Sequence, residues 1–224
     1  MPLLEVKDLD VGFDTPEGEV HAVNYLNFSI EAGETLALVG ESGSGKTQSV
    51  MGVLGLLAEN GHVTGQALFK GKDLLQMSTA ELNQHRGNEI AMIFQDPMTS
   101  LNPYLRIDRQ MIEVIIHHKG LKKAEALAQA VEMLRAVHIP DPERIIRQFP
   151  HELSGGMRQK VMVAMGLLSE PELLIADEPT AALDVTVQVQ VTHLMSALRE
   201  KSNTAIILIS HDLGIVAGLC DRVL

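Results

Sequence analysis

The stretch of sequence that decides the fold is Thr35-Leu36-Ala37-Leu38-Val39-Gly40-Glu41-Ser42-Gly43-Ser44-Gly45-Lys46-Thr47. It opens with a short apolar run that ends at a glycine, which predicts a strand buried on both faces. The remainder fits the pattern G-x-x-x-x-G-K-[ST] and leads into a predicted helix over residues 46–57. A glycine-rich turn between a buried strand and a helix is typical of a phosphate-binding loop.

Each residue type in this loop suits the binding of a nucleoside triphosphate. The glycines allow the backbone to wrap around a phosphate and direct N–H groups at it, and the helix N-terminus adds partial positive charge. Lys46 is expected to reach the β- and γ-phosphates, and the Thr47 hydroxyl is expected to coordinate Mg²⁺. The cradle itself is predicted at Gly40, Ser42, Gly43, Ser44 and Gly45.

A second site is predicted at Asp177 and Glu178, which directly follow the apolar run at residues 173–176. Open α/β sheets bind their ligands at the carboxyl ends of the strands, where these two acids are expected to lie. Asp177 is expected to hold Mg²⁺, and Glu178 is expected to be the general base that polarises an attacking water. The pair therefore points to hydrolysis of the bound triphosphate.

The rest of the chain favours an α/β fold of the P-loop NTPase type. Residues 6–13 and 20–30 have strand patterns joined by a turn, and they are interpreted as antiparallel N-terminal strands. Later strands alternate with helical stretches, which indicates a mostly parallel sheet flanked by helices. These later strands are predicted at residues 67–69, 90–94, 173–176 and 204–209.

One segment in the middle of the chain differs from its surroundings. Residues 103–150 contain no strand pattern, and Leu127, Val131 and Leu134 fall on one face of a predicted helix. They indicate a helical subdomain, over about residues 103–165, that is inserted into the α/β core. Residues 1–224 are accordingly predicted to form a single nucleotide-binding domain.

Composition and charge argue against several classes of protein. The 18 Lys and Arg against 29 Asp and Glu give a formal charge of −11, so no nucleic-acid partner is expected. The single cysteine, Cys220, and an N-terminus charged too early for a signal peptide indicate a reducing cytosol. No apolar run approaches the roughly 20 residues that a membrane-spanning helix requires.

The motif Leu153-Ser154-Gly155-Gly156-Met157-Arg158-Gln159 narrows the P-loop class. It resembles the signature sequence of the ATP-binding cassette (ABC) ATPases, with Met157 at a position where glutamine is commonest. In that family the motif faces the γ-phosphate bound by a second subunit, which the resemblance implies for Ser154, Gly155 and Gly156. The serine and glycines also open a helix, and a helix N-terminus binds anions.

Other positions resemble the remaining motifs of the family, in the family's order along the chain. Gln95 resembles the loop glutamine that contacts Mg²⁺ or water and leads into the helical subdomain. Ala182-Leu183-Asp184 resembles the segment that crosses the dimer interface, and Asp184 is expected to belong to the nucleotide site. His211 resembles the switch histidine at the γ-phosphate, and Phe13 resembles the aromatic residue that stacks on adenine.

The resemblance is tightest to the peptide and nickel importer ATPases, and among them to oligopeptide and dipeptide importers. It is carried by Phe94-Gln95-Asp96-Pro97-Met98-Thr99-Ser100-Leu101-Asn102-Pro103 and Asp177-Glu178-Pro179-Thr180-Ala181-Ala182-Leu183-Asp184-Val185-Thr186. It implies a Mg²⁺-dependent ATPase that binds ATP, powers peptide import and lies peripherally on the cytoplasmic face of the inner membrane. The implied partners are a second, homologous ATPase subunit, two membrane permeases and, indirectly, an extracytoplasmic peptide-binding protein. Chains of that group are usually longer, so the C-terminal part of the usual chain is expected to be missing.

Several alternatives stay open at this point. The ATPase subunit of a nickel or glutathione importer of the same family is one, because the ATPase does not touch the cargo. A soluble ABC ATPase of DNA repair or translation is another, although those proteins carry long coiled coils or paired cassettes. A P-loop GTPase would show an Asn-Lys-x-Asp motif, which the sequence lacks. A non-catalytic scaffold is disfavoured because Glu178 and His211 are both present.

Overall fold

The computed structural model describes residues 1–181 and 183–224, so Ala182 of the predicted dimer-interface segment lies outside the described residues. The strands, in chain order, are β1 (Leu4–Thr15), β2 (Gly18–Ile30), β3 (Thr35–Leu38), β4 (Gly61–Phe69), β5 (Lys72–Asp73), β6 (Ile90–Ile93), β7 (Leu173–Asp177), β8 (Ala205–Ile209) and β9 (Arg222–Val223). The helices are α1 (Lys46–Val53), α2 (Thr79–His85), α3 (Pro97–Ser100), α4 (Ile107–Lys119), α5 (Lys123–Ala136), α6 (Pro142–Ile145), α7 (Gly155–Leu168), α8 (Val185–Ser202) and α9 (Leu213–Leu219). Short 3-10 turns lie at Leu74–Gln76 and Pro150–Glu152.

The chain forms two compact units. Unit 1 contains Met1–Arg86 and Ala205–Leu224, and unit 2 contains Gly87–Thr204. Unit 1 holds an antiparallel sheet in the order β2-β1-β4-β5 and a parallel group in which β3 lies between β8 and β9. Unit 2 holds the parallel pair β6 and β7 with helices α3 to α8. These elements confirm the predicted α/β class with antiparallel N-terminal strands, while the single-domain boundary stays a prediction.

The antiparallel sheet is more extensive than the sequence pattern predicts. β1 pairs with β2 on one side and with β4 on the other, and a bulge interrupts both pairings around Asp8. The Asp8 N–H donates to the Asn27 side-chain oxygen at 2.9 Å, which replaces the missing ladder bond. β4 begins at Gly61, so the prediction that limits this strand to residues 67–69 is wrong. Residues 61–66 lack apolar alternation, and pairing with β1 rather than propensity makes them a strand.

β3 is the central strand of the parallel group in unit 1, and all its residues are buried. Its start is fixed by Asp221, whose carboxylate accepts a hydrogen bond from the Thr35 N–H at 2.8 Å. The Asp221 N–H donates in turn to the Thr35 carbonyl at 2.8 Å. Because β3, β8 and β9 are parallel, their carboxyl ends lie at one edge, and the residues that follow β3 begin there.

Helix α1 ends at Val53, so the prediction of a helix over residues 46–57 is too long. The next residues turn away because Gly55 has a left-handed φ of +62°. The Arg86 guanidinium donates from Nε to the Leu54 carbonyl at 2.9 Å and from Nη2 to the Gly55 carbonyl at 2.8 Å. Partial burial lowers the pKa of Arg86, yet a guanidinium keeps its charge at neutral pH. A positive charge thus satisfies carbonyls that the helix end leaves without partners.

Residues 103–150, all of which the structure describes, form helices and turns with no strand, as the sequence predicts, and the strand predicted over residues 90–94 ends at Ile93. Helices α4, α5 and α7 pack on one another in unit 2. The buried face of α5 is formed by Ala126, Ala130 and Leu134, so the prediction is correct for Leu134, whereas Leu127 and Val131 each lie one residue from the buried alanines. The alanines allow close packing, and the larger neighbours lie half-buried at its margin. Among the described residues, no helix is long and apolar enough to cross a membrane.

We predict that Arg86→Met lowers the free energy of unfolding by about 1–3 kcal/mol, because it leaves the carbonyls of Leu54 and Gly55 without their charged donor. Urea denaturation of the two proteins measures the difference. The matched control is Arg109→Met, which removes an exposed arginine from α4 and is expected to change stability by less than about 0.5 kcal/mol. Equal losses for both variants would contradict the capping role.

Candidate active site

The phosphate loop of unit 1 connects β3 to α1 and is largely exposed. Its turn is closed by the Ser44 N–H, which donates to the Glu41 carbonyl at 3.2 Å. Gly45 is the N-cap residue of α1, and no side chain caps that end of the helix. The start of α1 therefore carries the partial positive charge of a helix N-terminus without a side-chain cap, which is an arrangement that binds anions.

Lys46 bends back over the loop from the first turn of α1. Its ammonium donates to the carbonyls of Gly40 at 2.8 Å and Glu41 at 2.7 Å. Both acceptors are neutral, so they hold the ammonium in position without cancelling its charge. The structure thus places the positive charge of Lys46 against the loop that is predicted to bind phosphate, and Thr47 follows it on the same turn.

Gly45 lies against the backbone of β2. A Cβ atom at this position would come within 2.1 Å of the Ala22 carbonyl oxygen, and the residue has a left-handed φ of +89°. Gly43 has a similar φ of +82°, yet a Cβ there would meet nothing within 4 Å. Glycine is therefore required at position 45 by close approach and at position 43 by backbone conformation alone.

A cavity of about 440 Å³ opens beside this loop within unit 1. Gly40, Lys46 and Ala22 contribute to its wall. Phe13 does not line it, because its ring lies over Gly61, where an added Cβ would come within 2.9 Å of the ring atom Cε1. Stacking of Phe13 on adenine stays a prediction.

His211 lies at the same edge of unit 1 as the phosphate loop. Leu38 of β3 pairs in register with Ile209 of β8, so Gly40 and His211 each come two residues after a paired strand end. Asp212 caps α9 by accepting from the Gly214 N–H at 2.8 Å, which fixes the turn next to His211. The His211 imidazole is exposed.

The carboxyl ends of β6 and β7 bring three predicted residues together in unit 2. Ile93 pairs with Ala176, which places Gln95 and the acids Asp177 and Glu178 at one edge. The Gln95 amide Nε2 donates to Glu178 Oε2 at 3.1 Å. Asp177 is 1% exposed, whereas Glu178 is half-buried and has a left-handed φ of +44°. A non-glycine residue in that conformation is strained by about 1–3 kcal/mol, which is common at functional sites.

Two glutamines to which sequence reasoning assigns no role hold the loop after Glu178. Gln159 of α7 donates from Nε2 to the Pro179 carbonyl at 2.8 Å, and Gln188 of α8 donates from Nε2 to the Thr180 carbonyl at 3.2 Å. Gln159 is fully buried. A signal for Gln159 is present in the sequence, because this glutamine is followed along α7 by the apolar residues Val161, Met162 and Val163, which are buried with it. A glutamine among buried apolar residues indicates a hydrogen-bond partner, since buried amides are rarely left without one.

The signature residues form the exposed start of α7. Ser154 is the N-cap residue, and its Oγ accepts from the Met157 N–H at 3.3 Å. Gly155 and Gly156 follow, and a Cβ at Gly155 would meet nothing within 4 Å. Asp184 likewise caps α8 by accepting from the Val187 N–H at 3.1 Å. Unit 2 therefore presents a helix N-terminus that is open to an anionic ligand.

The predicted site residues occur in both units. Unit 1 contains the predicted phosphate-binding residues and His211, and unit 2 contains Asp177, Glu178, Gln95 and the signature helix. Within the described ranges 1–181 and 183–224, no three His, Cys, Asp or Glu residues are grouped to hold a metal ion. A Mg²⁺ ion would therefore also need the hydroxyl and amide oxygens predicted from the sequence.

A phosphate loop between a buried parallel strand and a helix, together with acids that end another parallel strand, defines the P-loop class of nucleotide-binding proteins. A family model described as "ABC transporter" matches residues 23–181. The chain therefore belongs to the ABC transporter family.

Its relatives include peptide transport proteins. The chain is 58% identical over 222 residues to the oligopeptide transport ATP-binding protein OppD of Salmonella typhimurium, and the match covers 99% of this chain and 66% of OppD. It is 50% identical over 223 residues to the dipeptide transport ATP-binding protein DppD of Lactococcus lactis, covering 99% of this chain and 64% of DppD. The chain thus spans just under two thirds of the length of these relatives.

Solved structures share the fold. The dimeric bacterial ABC transporter cassette MJ0796 superposes with a TM-score of 0.89 at 24% identity and covers 99% of this chain and 93% of that chain. The cbiO1 protein of Clostridium perfringens, part of the cbiONQ transporter complex, gives a TM-score of 0.74 at 28% identity, covering 99% and 83%.

We predict that Gly45→Ala destabilises the protein more than Gly43→Ala does. Both alanines must adopt a left-handed φ, which costs about 1–2 kcal/mol, but only Ala at position 45 collides with the Ala22 carbonyl. The collision adds about 1–3 kcal/mol, or a further fall in melting temperature of about 2–12 °C. Thermal denaturation measures both variants, and equal melting temperatures would contradict the close approach.

Proposed function

We propose that this chain binds ATP with Mg²⁺ and hydrolyses it to drive peptide import through a membrane ABC transporter. The observation that carries the proposal is the 58% identity, over 99% of the chain, to an oligopeptide transport ATP-binding protein. The loop, acid pair and signature helix described above support the ATPase part of the proposal. The relatives' names support peptide rather than nickel or glutathione as cargo.

Nucleotide binding is assigned to unit 1. The cradle residues Gly40, Ser42, Gly43, Ser44 and Gly45 offer backbone N–H groups and small side chains to the phosphates. Lys46 exchanges its two carbonyl acceptors for phosphate oxygens, and each charge-assisted contact contributes about 1.5–3 kcal/mol. Phe13 is assigned to stack on the adenine base, because stacking requires only an aromatic face.

Mg²⁺ is assigned to Thr47, Gln95 and Asp177, all of which offer the oxygen donors that Mg²⁺ prefers. The Gln95 amide nitrogen donates a hydrogen bond to Glu178, so the amide oxygen is the Gln95 atom assigned to the metal. The bound ion would supply positive charge to the phosphate oxygens. Asp177 is almost fully buried, which makes its position on β7 well defined.

Hydrolysis is assigned to Glu178, Gln95 and His211. Glu178 takes a proton from the attacking water while the water oxygen bonds to the γ-phosphorus and the bond to the bridging oxygen breaks. Gln95 holds the Glu178 carboxylate through its 3.1 Å hydrogen bond. His211 is assigned as a donor to the γ-phosphate, which gains charge stabilisation as the bond breaks.

A second, homologous ATPase subunit is proposed to complete each nucleotide site with Ser154, Gly155, Gly156 and Asp184. The exposed, uncovered start of α7 supports this assignment, and one related cassette of the same fold has been solved as a dimer. Two membrane permeases are the other proposed partners, with an extracytoplasmic peptide-binding protein acting through them. The proposed location is peripheral, at the cytoplasmic face of the inner membrane.

The cargo assignment predicts peptide transport by the full-length chain assembled with its co-purified partner ATPase and permeases in proteoliposomes. Labelled oligopeptides are expected to accumulate only with ATP, and Lys46→Ala is expected to abolish the accumulation. Accumulation of Ni²⁺ or glutathione instead would establish one of the other importers. ATP hydrolysis by a chain that co-purifies with no permease would favour a soluble ABC ATPase.

We predict that Glu178→Gln keeps MgATP affinity and lowers the hydrolysis rate by about 10²–10⁴-fold, because only the general base is removed. Titration with a fluorescent ATP analogue and release of phosphate measure the two quantities. Lys46→Ala is expected to act mainly on binding instead, and to weaken MgATP affinity roughly 10–150-fold. The matched control is Glu170→Gln, since Glu170 lies in the same unit and pairs only with the exposed Lys201 in the described ion pairs. Normal hydrolysis by Glu178→Gln would refute the base assignment.

A further inference from the structure

Gln159 is the most completely buried amide beside the hydrolysis residues, with 0% of its surface exposed. Its Nε2 donates to the Pro179 carbonyl at 2.8 Å, and its Oε1 has no hydrogen-bond partner among the described residues. The assignment of the two amide atoms follows from chemistry, because proline has no N–H and its carbonyl can only accept. Gln159 therefore makes one hydrogen bond where an amide is able to make several.

Stability does not account for a glutamine at this position. A buried acceptor without a partner costs about 1–3 kcal/mol, whereas a neutral hydrogen bond contributes about 0.5–1.5 kcal/mol. The buried neighbours along α7, Val161, Met162 and Val163, are apolar, so a leucine would pack there without an orphaned oxygen. The single bond to Pro179 is what the glutamine adds.

That bond lies next to the strained residue Glu178. A left-handed, non-glycine backbone persists only where surrounding contacts over-determine it. Three such contacts are present in unit 2, namely Gln95 to the Glu178 side chain, Gln159 to the Pro179 carbonyl and Gln188 to the Thr180 carbonyl. Of these donors, Gln159 is the one that belongs to the helix begun by Ser154, five residues away.

We propose that Gln159 is a positioning residue that holds Glu178 in its strained backbone conformation and links the movement of the signature helix α7 to that of Glu178. The inference rests on the proposed function, because Glu178 is assigned there as the general base. A helix moves as a rigid body over one to two turns, so a ligand that shifts Ser154 also shifts the Gln159 amide that donates to the Pro179 carbonyl. Binding at the start of α7 would thereby adjust the base without any contact to it.

The first test compares Gln159→Leu with Thr204→Val in the full-length chain assembled with its partner subunits. Thr204 is a matched control, because it is also fully buried and its Oγ1 donates to the carbonyl of Pro171, before β7. Gln159→Leu is expected to lower kcat by about 10–100-fold with an unchanged KM for MgATP, as a displaced catalytic group does. Thr204→Val is expected to lose stability but keep kcat. Equal kcat values for wild type and Gln159→Leu would overturn the inference.

The second test uses Gln159→Glu, which keeps the shape of the side chain. A protonated carboxyl donates to the Pro179 carbonyl, whereas the ionised form only accepts and repels it. Burial favours the protonated form and raises the pKa of the introduced group. Activity relative to wild type is therefore expected to be highest at acid pH and to fall as the pH rises through that pKa. A ratio that is constant with pH would count against positioning by this hydrogen bond.

A third measurement separates failure of this inference from failure of the proposed function. The Ala181 N–H donates to the Glu178 carbonyl at 3.2 Å, and the Leu183 N–H donates to the Thr180 carbonyl at 3.0 Å. Hydrogen exchange at these two amides is expected to accelerate in Gln159→Leu and not in Thr204→Val, whether or not the protein hydrolyses ATP. A wild type that hydrolyses no ATP refutes the proposed function, and unchanged exchange refutes the role of Gln159.

Discussion

The nucleotide site depends on the close approach of the Gly45 backbone to the Ala22 carbonyl of β2. A Cβ atom at position 45 would come within 2.1 Å of that carbonyl oxygen. This close approach fixes the phosphate loop against β2, while β3 fixes the other end of the loop within the parallel strands of unit 1. The start of α1 is thus held between an antiparallel and a parallel group of strands. Its N–H groups are pre-organised for an anion, which avoids an ordering cost when the ligand binds.

The charge of the whole chain makes these local groups more important. At −11, the protein does not attract a nucleoside triphosphate over long distances. Short-range groups must compensate, and Lys46 is held by neutral carbonyls of Gly40 and Glu41 that leave its charge available. Negative net charge and a local positive site are compatible because fields from exposed charges are screened within about 8–10 Å at physiological salt.

Residues whose role lies in the backbone of one local segment could be predicted from the sequence. The phosphate loop, the acids at the end of β7 and the Ser154 cap all follow from short motifs, because residues adjacent in the sequence determine their local structure. The end of α1, the start of β4 and Gln159 could not be predicted in the same way. Arg86 donates to the carbonyls after α1 from more than thirty residues away, β1 pairs with β4 and makes it a strand, and Gln159 donates to the carbonyl of a distant proline. Such partners are chosen by tertiary packing, which short motifs do not record.

The magnitudes at Glu178 explain why several glutamines donate to this residue and to the two residues that follow it. The strain of its left-handed backbone, about 1–3 kcal/mol, exceeds what one neutral hydrogen bond of about 0.5–1.5 kcal/mol can offset. Two or three bonds together can offset it, and Gln95, Gln159 and Gln188 supply that number. The left-handed conformation of Glu178 is therefore close to balance, and the loss of one hydrogen bond is enough to depopulate it. Because the three donors lie in different segments, the loop after β6, α7 and α8, a ligand that moves any one of them changes the fraction of time that Glu178 spends in its left-handed conformation.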